Sequence, residues 1–298
     1  MKVKNIAQFL REQDIFFDLI GNESEPIYGY SSLYRCKPGT VVWARDRETF
    51  LGCGNREHER FSLLITSYDN DETDNIAAKI MNDDPRAVFF RIVEHFWGED
   101  DLPRISDRAI IKEGAKIGDN VTIGDGCVIS AKTSIGSGTR LGCHVVTQGR
   151  VTIGENCVIQ SGVVIGETGM ALVKDDGYLQ PIPHYGGVAI GDRVYIGANT
   201  SICRGTIEDT ILHDDVKVDQ LCQISHNCVI ESGSVLLAGT VILGSVDVGK
   251  NTKINSALIK EQKDIGDNVV VSYGAVVTRK LPDNAMVRGV PPTIVVQE

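Results

Sequence analysis

Residues 218–230 read VDQLCQISHNCVI, and the spacing of their aliphatic members decides the fold. Val218, Ile224 and Ile230 stand six apart, a period that belongs neither to a helix nor to an alternating strand. It belongs to a chain that turns a corner every six residues. Working outward, Leu212 precedes this stretch and Leu236, Ile242, Val248 and Ile254 follow it in step; after one lost residue come Ile259, Ile265, Val271 and Val277. Upstream the same rhythm runs from Ile105 to Ile165, with Thr147 as its one non-aliphatic member. IGDNVT, IGDGCV, IGENCV and IGANTS are near-copies of one hexapeptide. Three hexapeptides close one triangular coil, so residues 18 apart stack at the sheet spacing of about 4.8 Å. The expectation is a mainly β chain whose residues 101–280 form a left-handed parallel β-helix.

Two interruptions break the ladder. Residues 166–189 replace hexapeptides with GETGMALVKDDGYLQPIPHYGGVA, predicting a projecting loop, and the stretch from Ile202 to Leu212 is four residues out of step. Residues 281–298 carry no helical pattern and are expected as an irregular tail. Residues 1–100 lack the six-residue period and predict a small α/β domain. NIAQFLR from Asn5 suits a short helix and FSLLITSY from Phe61 a strand, while Pro85 after two aspartates opens a longer helix, AVFFRIVEHFW, with a broad apolar face. The domain boundary is placed near Asp100.

Composition agrees with short strands and tight turns: 31 glycines stand against only 6% aromatic residues. A net charge of −10 argues against nucleic acid as a partner. No apolar run reaches the roughly 20 residues of a membrane helix and the start lacks a signal-peptide apolar region, so the expected location is the cytoplasm. From Lys250 to Arg288 seven basic residues meet four acidic ones. Either this is a solvated face, or Lys250, Lys260, Arg279 and Arg288 receive a phosphorylated acyl carrier. Cys127, Cys157, Cys222 and Cys228 share one slot of the repeat, which elsewhere holds small residues, and are expected as reduced core fillers. No CxxC pair suggests a metal, and none is expected. Flat prism faces favour self-association, with a homotrimer as the closed solution.

With QISHN, IGANTSICRGTIEDTIL and, earlier, GTVVWARDRETF in hand, the chain resembles the UDP-3-O-acylglucosamine N-acyltransferases. That family transfers an acyl group from a thioester to the amine of a UDP-linked sugar. The resemblance implies a trimer, a nucleotide-binding N-terminal domain and a general base at His226. An imidazole titrates in the range such proton transfer needs. Asp219 matches the family's orienting carboxylate. Gly244 matches its oxyanion donor and also stands 18 residues after His226, one coil along. Trp43 matches one wall of the uracil site, with Phe50 one residue away from the position of the other. Gln223, Asn227 and His184 complete the expected substrate contacts, and His144 and His213 are further histidines able to line the site.

The chain also departs from the family. GETGMALV lacks its aromatic, Glu261 and Gln262 stand where a second histidine is expected, Cys203 replaces an aspartate, and the C-terminal helices are absent, the end resembling coenzyme A-dependent hexapeptide acetyltransferases. These departures leave the donor open between acyl-CoA and acyl-carrier protein, and the acceptor open among UDP- and dTDP-linked amino sugars. A zinc-dependent carbonic anhydrase needs histidines closer together than His213 and His226. A non-catalytic sugar-binding or scaffold trimer is the remaining alternative.

Overall fold

The structure, a computed structural model, describes residues 1–52, 60–68, 75–98 and 103–289. The expected boundary near Asp100 and the end of the expected tail fall outside these residues. The chain divides into two compact units, Met1–Asp101 and Leu102–Glu298.

In the first unit, helix α1 (Val3–Glu12) is followed by strands β1 (Asp18–Gly21), β2 (Gly29–Tyr30) and β3 (Thr40–Ala44), a short α2 (Arg47–Leu51), β4 (Leu63–Thr66), β5 (Ala78–Met81) and α3 (Pro85–Trp97). The sheet order is β1-β5-β4-β3-β2, with only β1 antiparallel. Alternation along β3 assigns its side chains to two cores. Val41 joins α1 and α3 residues such as Leu10, Val88 and Ile92 on one face, while Val42 and Ala44 join Phe50, Phe61 and Leu64 on the other. The predicted α3 begins at Pro85, and the Asp84 side chain caps it by accepting from Ala87 N at 3.0 Å.

The second unit is a parallel β-helix built from three sheets of eight, nine and nine strands that the chain visits in turn. Ile135 pairs with Ile153, Leu141 with Ile159 and Thr147 with Ile165, the 18-residue register that the sequence requires. The ladder residues point inward, and Ile159, Ile224, Ile230 and Ile242 are essentially inaccessible. At the corners, Asn120, Asn156, Asn199, Asn227, Asn251 and Asn268 all adopt φ between 53° and 59°, the left-handed region that asparagine tolerates. The four cysteines of the shared slot are buried and unpaired, as expected. Thr147 is equally buried because its hydroxyl accepts from Ser130 N at 2.9 Å and meets Thr133 Oγ1 at 2.8 Å.

Two expectations change. Residues 166–189 are not a simple loop: Val164–Thr168 extends a coil strand, Leu172–Asp175 and Tyr178–Pro181 form an exposed antiparallel hairpin, and Val188–Ile190 re-enters the helix. The tail does not become irregular at residue 281, since Met286–Val287 pairs in parallel with Val270–Val271 and adds a further rung. Its spacing of 16 rather than 18 residues hides that rung from a six-residue reading.

The insertions share one edge. The hairpin joins strand Val164–Thr168 to Val188–Ile190, and residues 205–209 join Ser201–Arg204 to Thr210–Leu212, the same corner one coil on. The next coil turns this corner at residues 225–228, between Gln223–Ile224 and Val229–Ile230. His226 stands there.

Candidate active site

His226 is half-buried, and its carbonyl is tied to the following coil by Ser245 N at 2.9 Å. Gly244 lies against the ring: a Cβ at that position would sit 2.7 Å from His226 Cε1 and 2.8 Å from Nε2. On another side of the ring, a Cβ on Gly169 would lie 2.7 Å from His226 Cδ2. Two glycines therefore make room for the imidazole, one from the coil arithmetic and one from the inserted segment.

The tautomer of His226 follows from its partners. Asn227 Oδ1 lies 3.0 Å from His226 Nδ1, 3.0 Å from Thr206 N and 2.9 Å from Thr206 Oγ1. The Thr206 backbone N–H can only donate, so the carboxamide atom facing it is the oxygen. His226 Nδ1 must then carry its proton and donate to that oxygen, which leaves the lone pair on Nε2. His184 is held alike, Nδ1 donating to Ile182 O at 2.9 Å. Its ring meets His226 edge to face, with centroids 5.4 Å apart. His184 Nε2 is buried with no hydrogen-bond partner among the described residues.

A cavity of about 520 Å³ opens beside His226 and Gly244. Gln223, Ser225, Glu261 and Gln262 come to it from the coils, Thr168, Gly169 and Met170 from the start of the insertion, and Cys203 from the strand between them. Burial pushes the Cys203 thiol up, with the nearby Glu167 charge adding to it, and burial pushes Cys228 from 9.0 to about 12. Neither sulfur is set up as a thiolate nucleophile near neutral pH. The chemistry the cavity offers is an imidazole whose Nδ1–H is engaged and whose Nε2 is available.

Other expected residues are placed differently. Asp219 is not brought to His226 within one chain; its carboxylate accepts from Gln220 N at 2.8 Å and Ala238 N at 3.3 Å. Seven residues is one hexapeptide plus one, which puts Asp219 on the preceding edge of the prism, and Asn227 holds the imidazole instead. Phe50 is not a second wall for Trp43. It is buried against Phe61, ring centroids 5.3 Å apart, on the sheet face opposite the one that Trp43 packs with Phe89. Trp43 itself lines a cavity of about 570 Å³ in the first unit, with Arg45, Arg86 and the carboxylates of Asp46, Asp83 and Asp84 around the carboxyl ends of β3 and β4 and the start of α3.

The expected carrier site does not form one patch. Lys260 and Arg279 follow successive strands at the edge of His226, whereas Lys250 and Arg288 follow strands of the two other sheets. Lys260 also faces Glu261 at 3.7 Å. His144 and His213 are absent from the cavity lining; His213 faces Glu231 at 3.6 Å. Sequence reasoning passed over Gly169 and Thr206, both signalled by interruptions that a count in units of 18 puts on the edge of His226.

Among the described residues no group of three His, Cys, Asp or Glu side chains is placed to hold a metal, and no helix is long and apolar enough to cross a membrane.

Parts of the chain are similar to known hexapeptide-repeat proteins. Residues 132–167 match the bacterial transferase hexapeptide family, and residues 107–131 and 187–218 match the hexapeptide repeat of succinyl-transferase. The UDP-3-O-acylglucosamine N-acyltransferase of a Janthinobacterium species is 37% identical over 125 residues, 42% of this chain and 36% of that protein. The enzyme of that name from Xanthomonas campestris is 49% identical over 75 residues, 25% of this chain and 22% of its own length. The matches thus span well under half of these relatives. The crystal structure of UDP-N-acetylglucosamine acyltransferase from Francisella novicida aligns with a TM-score of 0.57 at 26% identity, covering 61% of this chain and 66% of the other.

Proposed function

We propose that this hexapeptide-repeat chain, related in sequence to UDP-3-O-acylglucosamine N-acyltransferases, moves an acyl group from a thioester to the amine of a nucleotide-linked amino sugar. The observation that carries the reading is the His226 imidazole, its Nδ1–H tied to Asn227 and its Nε2 free beside a cavity. Nε2 takes a proton from the amine as nitrogen attacks the thioester carbonyl. A C–N bond forms and the carbonyl becomes a tetrahedral oxyanion, which the Gly244 N–H stabilises. Collapse breaks the C–S bond, and the imidazolium returns its proton to the departing thiolate. The base acts on a proton throughout, so the protein is never acylated.

The nucleotide is assigned to the first unit. Trp43 offers an aromatic face for the base, and Arg45 and Arg86 offer cations for a diphosphate alongside the carboxylates of Asp46, Asp83 and Asp84, the last of which caps α3. His184 and Gln223 are assigned to the acceptor sugar. Of the four basic residues expected to meet a phosphorylated donor, Lys260 and Arg279 are the two on the His226 edge. The working assembly is a homotrimer in the cytoplasm.

A matrix of acyl-CoA and acyl-carrier protein donors against UDP- and dTDP-linked amino sugars tests this. The expected result is an amide product with release of one free thiol for at least one pair. His226→Ala should cut turnover by roughly 10²-fold or more. Undiminished transfer by that variant, or an acylated protein in the mass spectrum during turnover, overturns the mechanism.

A further inference from the structure

The structure assigns Thr206 and Asn227 as positioning residues that lock the base in one tautomer, a role that rests on the proposed function of His226. The step from Ile202 to Leu212 is four residues longer than the repeat, and the added length falls in residues 205–209, Thr206 among them. Regular hexapeptides would carry the chain straight from Ser201–Arg204 into the next sheet. The extra residues instead bring the Thr206 N–H and hydroxyl onto Asn227 Oδ1, at 3.0 and 2.9 Å. Asn227 sits at φ 59°, and its own N–H donates to Thr210 Oγ1 at 2.9 Å, so backbone and carboxamide are fixed from both ends of the insertion. With two donors already on that oxygen, the carboxamide cannot easily turn its NH₂ towards the ring.

The consequence for the base is specific. Imidazole in water favours neither nitrogen strongly, and a base with its lone pair on Nδ1 would aim it at Asn227 rather than at the cavity. An acceptor fixed at Nδ1 leaves Nε2 as the lone-pair nitrogen in every neutral molecule. The carboxamide supplies that acceptor without a negative charge, unlike the carboxylate in the usual acid–histidine pair. The titratable groups around this edge include His184 against the ring, Cys203 and Glu261 in the cavity wall, Cys228 under the His226 carbonyl, Glu208 beside Asn227, and Lys260 and Arg279 on the coils that follow.

The test uses the full chain labelled with ¹⁵N-histidine, in wild type, Asn227→Gly, Asn227→Asp and Thr206→Val. Glycine keeps the left-handed backbone while removing the carboxamide, and aspartate keeps the acceptor while adding charge. Long-range ¹H–¹⁵N spectra, with His226 assigned by its loss in His226→Ala, report the tautomer without any need for turnover. Wild type should be protonated at Nδ1, and Asn227→Gly should give a mixture with Nε2–H. Asn227→Asp should keep Nδ1–H and, because the added charge favours the imidazolium, move the acid limb of the kcat/KM profile to higher pH. Thr206→Val, which removes one of the two donors on Asn227 Oδ1 and keeps the backbone one, should give some Nε2–H, less than Asn227→Gly does. In transfer assays Asn227→Gly should lower kcat about tenfold or more with the acceptor KM little changed.

A His226 tautomer that is Nε2–H in wild type, or that does not respond to position 227, overturns the inference. So does a pH profile unmoved in a folded Asn227→Asp protein. If instead His226→Ala retains transfer while the tautomer still follows Asn227, the base assignment fails and the positioning geometry stands.

Discussion

Thr147 is where a single residue departs from the rule of its repeat, and its surroundings explain why. The ladder position calls for an aliphatic side chain, yet here a buried hydroxyl satisfies Ser130 N–H and meets Thr133, while Ser130 Oγ in turn donates to Gly149 O at 2.6 Å. Restoring the aliphatic rule would leave that amide without an acceptor in the core. Thr147→Val is therefore expected to destabilise by about 1–3 kcal/mol despite the more apolar side chain. Thermal or denaturant unfolding checks this, and equal or greater stability in the variant contradicts the network. His226 shows the same logic in reverse: its residue type pointed to chemistry, but the side chain that holds its ring within one chain was not the one expected. The family resemblance implied Asp219, whereas a corner in the left-handed region folds the adjacent Asn227 back onto the ring.

At the scale of the element, the coil is governed by how closely successive turns approach. A Cβ on Gly136 would stand 2.5 Å from Gly154 C and 2.6 Å from Gly154 O in the next coil, although Gly136 has no left-handed backbone. Gly239 is the opposite case, with φ 72° and nothing within 4 Å of an added Cβ. Gly136→Ala has to push two coils apart and should cost about 1–3 kcal/mol or more. Gly239→Ala meets only backbone strain of about 1 kcal/mol. Unfolding midpoints of the two variants measured side by side decide the point, and the reverse order would show that coil contact is not what selects glycine. The insertions obey the same geometry. A coil tolerates extra residues only at a corner, where chain can leave without breaking a ladder, and both insertions leave at the corner column that His226 occupies one coil later.

For the whole molecule, the two units have separate cores, one layered on a five-stranded sheet and one enclosed by three sheets. The proposed assembly is a trimer, and light scattering is expected to give a mass three times 32.4 kDa. A monomer at micromolar concentration would remove the trimer from the proposal. The sequence by itself determined the β-helix, its register, the buried cysteine slot and the stacking of Gly244 on His226, because each follows from counting in sixes and eighteens along one chain. It also located α3, since a proline after a capping aspartate and an apolar face are local signals. Only the tertiary structure decided that Phe50 faces away from Trp43, that Asp219 and His226 stand on different edges, and that Thr206, Asn227, His184 and Gly169 converge on one imidazole. The physical reason is that a repeat fixes where regular residues go, whereas the direction of a side chain leaving a corner depends on backbone torsion and on contacts across an insertion. No periodicity encodes either.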